Sequence, residues 1–171
     1  MFKFPITIFI SDKSLYRLLL FLIFFWILVI ISPSIIFLIF KRDTTISLFI
    51  FKLFSPICHQ IESRSFCLFG KQFAVCVRCF SVYSGLFIGV VFYPVFRMYF
   101  KQNTPNLIYL LISILLLLLD LLMNIFKIIE NSFITKTITG IIFGFVLSLY
   151  LIPGLFFLNK ELKIFHKKNN E

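Results

Sequence analysis

"LLLFLIFFWILVIISPSIIFLIF", residues 18–40, runs for 23 residues without a charge. A helix needs about 20 apolar residues, at about 1.5 Å of rise each, to cross the hydrocarbon of a bilayer. Only Ser32, Pro33 and Ser34 interrupt the run, and Lys41 and Arg42 end it abruptly. Lys3, Lys13 and Arg17 give it the basic flank of a signal peptide, but the run is too long for a signal core and no small-x-small cleavage site follows. It reads as an uncleaved spanning helix. Three similar runs follow: 80–96, with Tyr93 and Pro94 near its end; 107–123, nearly pure leucine around a single Asp120; and 138–158. The expected fold is an all-α integral membrane protein with four transmembrane helices in one domain over residues 1–171. Composition agrees, since 60% of the chain is apolar, with 26 Phe and a mean hydropathy of +1.03, against roughly 45–50% apolar in soluble domains.

Residues 44–57, "TTISLFIFKLFSPI", are apolar but too short to span, and they carry Lys52 and stop near Pro56. An interfacial or re-entrant helix fits this pattern, with Lys52 reaching toward the headgroups. The net charge of +10 raises nucleic acid as a partner. The Lys and Arg residues sit between the spans and at both ends, however, where headgroup anchors belong, and no basic-aromatic platform appears, so the partner is the bilayer and not nucleic acid. The basic C-terminal tail, 159–171, needs only anionic lipid. With four spans, the side holding both termini carries nine Lys and Arg and the other side eight. Positive charge favours the cytoplasmic side, so both termini are expected inside.

All four cysteines, Cys58, Cys67, Cys76 and Cys79, fall in one polar island, residues 55–79. The helix order brings Asp120 to the same face, about 20 Å along the third span, where Cys58, His59, Arg64, Cys76, Arg78 and Cys79 collect. Asp120 is expected either to pair with Arg78, Lys127 or Lys136 or to act directly, because a carboxylate within a span needs a partner or a cavity. Three chemistries suit the cysteines. "CVRC" has the spacing that places two sulfurs on one metal ion, with Cys58 and one of His59, Cys67 or Asp120 completing a site for zinc or copper. Adjacent side chains such as Cys58 and His59 point apart, which weighs against both ligating one ion. Alternatively, a CxxC beside an arginine could exchange disulfides with a Cys58–Cys67 pair in a membrane thiol–disulfide oxidoreductase, with Asp120 relaying a proton. The plainest reading is two structural disulfides, in any of three connectivities. Ser84, Gly85 and Gly89, with Gly140 and Gly144, put small residues on the second and fourth spans, suited to close helix packing within the chain or to a homo-oligomer.

The stretch "ICHQIESRSFCLFGKQFAVCVRCFSVYSGLFIG" resembles the signature of a family of small predicted bacterial membrane proteins, a domain of unknown function. Cys58-His59-Gln60, Arg64-Ser65-Phe66, Gly70, Cys76, Arg78, Cys79, Tyr83 and Gly85 carry the resemblance, which continues through Asp120, Thr139, Gly140 and Gly144 and covers about residues 45–155. The chain departs from that pattern at Ser63 and Ala74, where prolines are expected, at Ser81, where a glycine is expected, and at Cys67, in place of a phenylalanine-type residue. The resemblance thus implies a site of Cys58, His59, Cys76 and Cys79 without Cys67, supported by Arg64, Arg78 and Asp120. It implies no activity.

Overall fold

The computed structural model describes residues 12–99, 105–126 and 133–169. Their elements are the helices α1 (Asp12–Phe40), α2 (Thr45–Phe54), α3 (Val77–Tyr99), α4 (Ile108–Ile125) and α5 (Phe133–Asn169), with a ribbon of β1 (Cys67–Leu68) and β2 (Lys71–Gln72) between α2 and α3. Helices α1, α3, α4 and α5 are each long and apolar enough to cross a membrane, so the four expected spans are present. Even α4, the shortest with 18 residues, extends about 27 Å. Large apolar side chains such as Phe21, Leu111 and Leu115 point outward, as they must where the surrounding solvent is lipid.

The helix that holds the last apolar run, 138–158, is longer than the run itself: it starts at Phe133 and continues through the tail as far as Asn169. The tail residues Lys160, Glu161, Leu162 and Lys163 are good helix formers, and no glycine or proline after Gly154 stops the helix as it leaves the apolar stretch. The tail thus continues the span, and Lys160 and Glu161 are exposed along it.

Helices α3 and α5 form the most extensive contact in the bundle, while α4 packs on α5 and α1 on α3. Small residues dictate the first of these contacts. A Cβ on Gly85 would overlap the backbone of Ile141, and one on Gly144 would overlap the carbonyl of Val82. The small faces of the two spans therefore meet each other, and a second copy of the chain would have to use another surface. Substituting valine for Gly85 or Gly144 is expected to destabilise the bundle by about 1–3 kcal/mol, because backbone and not a movable side chain stands in the way. Gly154, with nothing near its missing Cβ, is the control: Gly154→Ala should raise the melting temperature in detergent through helix propensity alone. Equal melting temperatures for all three variants would contradict this packing.

Two apolar clusters brace α1 against the rest. Near one membrane face Ile23, Val90 and Ile152 are buried together, and the Tyr16 hydroxyl donates to the Val90 carbonyl at 2.9 Å. Near the other face Ile30, Ile50 and Phe54 are buried with Phe73, Ala74 and Val75, and Trp26 packs edge-on against both Phe54 and Tyr83. This second cluster is the floor under the cysteine island.

Candidate metal centre

The island is held by hydrogen bonds that originate at a defect in α1. Pro33 has no N–H for the Val29 carbonyl and loosens the helix around it. The Ser32 hydroxyl donates to Val29 O instead, at 2.7 Å, and one residue further on the Ile30 carbonyl accepts the backbone N–H of Ala74, at 3.0 Å. The Ser34 hydroxyl donates to the Lys71 carbonyl at 2.9 Å. The three residues that merely interrupt an apolar run in the sequence thus tie the segment entering α3 to the first span.

Helix α2 brings in the other half. Thr44 caps its start by accepting from the Ser47 N–H, and the backbone N–H of Cys58 donates back to Phe54 O at 3.0 Å. Gln60, in the left-handed region at φ 52°, then turns the chain. Its side-chain amide donates to Phe51 O at 2.7 Å and to Ala74 O at 2.9 Å, joining the end of α2 to the approach to α3. The ribbon between them closes tightly through Phe69 and Gly70, both at positive φ, as a two-residue primed hairpin turn requires.

These ties bring together the sulfurs of Cys58, Cys76 and Cys79, all within 4.8 Å of one another. Cys76 immediately precedes α3 and Cys79 lies in its first turn, where helix N–H groups and the helix dipole favour negative charge. The Cys76 backbone N–H donates to Cys58 Sγ at 3.1 Å. Hydrogen bonds from the side chains of Cys76 and then Cys79 hold the Cys58 thiol far below its ordinary pKa; burial opposes them, and the backbone N–H groups of Cys76 and Gln60 add to them. Cys58 is thus disposed to be a thiolate at neutral pH, the form that binds metals.

The other predicted residues divide into two groups. His59, Arg64 and Arg78 line one cavity of about 390 Å³ with the three sulfurs. His59 is exposed, and its ring does not join the sulfurs in the close group of ligand atoms. Asp120 is 7% exposed and forms an ion pair with Arg78 at 2.5 Å, linking α4 to the first turn of α3. Of the other cations weighed for Asp120, Lys136 lines the cavity and Lys127 lies outside the described residues. Cys67 is exposed on β1, outside the group of three, with its thiol directed at Ser65 O. One contributor escaped the reading of the sequence: Gln60 was visible only as a letter of the "CHQ" triplet.

Three sulfurs on one zinc ion at about 2.3 Å each would sit about 3.8 Å apart in a tetrahedral arrangement, so the observed group needs at most a small contraction to close on an ion. Three protein ligands would leave a fourth position to another ligand, and all three cysteines border the cavity.

A model of the family described as predicted membrane protein (DUF2085) matches residues 58–150, a stretch that starts at Cys58 and includes all three clustered sulfurs, Arg78, Asp120 and the glycines of the α3–α5 contact. The uncharacterized protein MJ1492 of Methanocaldococcus jannaschii is 34% identical over 111 residues, which are 65% of this chain and 71% of that protein. No solved structure matches the chain.

Proposed function

This chain belongs to the DUF2085 family of predicted membrane proteins, and on that premise we propose that it is a metal-binding membrane protein whose Cys58, Cys76 and Cys79 hold one zinc or copper ion at a membrane face. The observation that carries the reading is the convergence of three sulfurs from two separate segments, with a backbone N–H already aimed at the Cys58 sulfur. Thiolates are soft ligands, which suits both metals and disfavours magnesium or calcium. His59 is the fourth ligand if its side chain swings inward from the cavity wall; otherwise the fourth position takes water or an outside ligand. Arg78 and Asp120 support the site by fixing the first turn of α3, which carries Cys79. The distribution of Lys and Arg supports both termini on the cytoplasmic side, with the sulfur site facing outward, and the resemblance to bacterial membrane proteins favours an inner membrane as the setting.

Elemental mass spectrometry on protein purified anaerobically in detergent tests the reading. Wild type should carry about one zinc or copper per chain, and Cys76→Ser should lose most of it because two sulfurs hold such an ion poorly. Absence of metal, together with two fewer free thiols until reductant is added, would sink the reading in favour of disulfide exchange.

A further inference from the structure

The cavity over the sulfurs is lined by three cations, Arg64, Arg78 and Lys136, and by the amide of Asn124. Of these three cations, Arg78 alone has an ion-pair partner among the described residues, Asp120. Arg64 approaches from the short 3-10 turn after α2, and Lys136 from the start of α5, so two unrelated elements direct unpaired positive charge into one space. The third cation, Arg78, is turned toward Asp120, so the charge that faces the cavity without a counter-ion among the described residues belongs to Arg64 and Lys136.

The charge balance points the same way. Zinc with three thiolates is left with one negative charge, while the three cations less Asp120 leave two positive ones. With zinc in the site, one positive charge therefore remains for a ligand.

We infer that this cavity binds a phosphate-type oxyanion, gripped by Arg64 and Lys136 beside the Arg78–Asp120 pair. The match is one of shape as well as charge, because guanidinium groups offer forked donors to tetrahedral oxyanions and an ammonium adds a point charge. The group belongs to a free phosphate compound or to the headgroup of an anionic lipid, since the cavity lies at a membrane face. The inference rests on the metal reading in one respect: the ion's open position supplies the anion's remaining contact.

Equilibrium dialysis of the purified full-length protein against labelled inorganic phosphate tests it, with metal content measured on the same samples. Wild type should bind about one phosphate per chain saturably, and Arg64→Gln and Lys136→Gln should each weaken binding about tenfold while leaving metal content unchanged. A soluble short-chain phosphatidylglycerol that displaces the label, and whose own binding weakens in both variants, would identify the headgroup as the source. Failure to displace would identify free phosphate. Metal without saturable binding of either probe, or binding indifferent to both substitutions, would overturn the inference and leave the metal reading standing. Phosphate binding that depends on Arg64 and Lys136 in a chain without metal would support the cationic cavity and sink the metal reading.

Discussion

Chelating the metal from the purified protein is expected to raise the number of rapidly alkylated thiols from one to four. The one is Cys67, exposed on its ribbon, whereas Cys58 is buried and Cys76 and Cys79 are partly covered. Bound thiolates are poor nucleophiles compared with free ones, so an ion held as proposed would protect the three clustered sulfurs chemically as well as sterically. Structural zinc contributes an apparent ~10–16 kcal/mol in peptides that fold only around it. Here the spans keep their backbone hydrogen bonds in lipid whether or not the ion is present, so the loss should be local. Helical circular dichroism should stay nearly constant while the segment between α2 and α3 becomes open to protease. Four thiols reacting at equal rates before chelation, or a chelator that changes neither measurement, would exclude the ion as the clasp of this segment.

Asp120→Leu is expected to be the most destabilising single substitution outside the cysteines, at about 3–5 kcal/mol, because it leaves the Arg78 guanidinium without its counter-ion. Side-chain exposures of 18% and 6% leave water little room to compensate. The double variant Arg78→Met with Asp120→Leu should recover most of the loss, since an apolar pair of similar volume removes the uncompensated charge altogether. Chemical denaturation in mixed micelles, read by loss of helix, gives the comparison. If Asp120→Leu unfolds like wild type, the pair is solvated and α4 is held by apolar contacts alone. If the double variant is as unstable as the single one, the carboxylate has a task beyond neutralising Arg78.

How far the sequence reveals this site depends on which physical constraint governs each residue. The spans were legible because lipid exposure permits only long uncharged helices, and four such runs leave little freedom. The meeting of Asp120 with Arg78 was within reach, since both lie at the island ends of their helices and a carboxylate in a span needs a cation. The contact of α3 with α5 was likewise written in the spacing of Gly85, Gly89, Gly140 and Gly144. Side-chain direction in an irregular loop follows no such period. The outward placement of His59 is set by the turn at Gln60, whose positive φ no spacing rule announces. The same holds for Gln60 itself, whose two acceptors come from Phe51 and Ala74, distant in sequence and joined only by the fold. Lys136 was in view as one of three cations that could pair with Asp120; Arg78 takes that place, and Lys136 lines the cavity.

The bond from Ala74 to the Ile30 carbonyl has a mechanical consequence. A helix accommodates a thinner or thicker bilayer by changing its tilt, and a proline gives it a place to bend. In α1 that place is Pro33, and the Ile30 carbonyl one turn before it holds the chain two residues before Cys76. A bend of the first span at Pro33 would therefore reach the segment that carries one of the three sulfurs through this single bond.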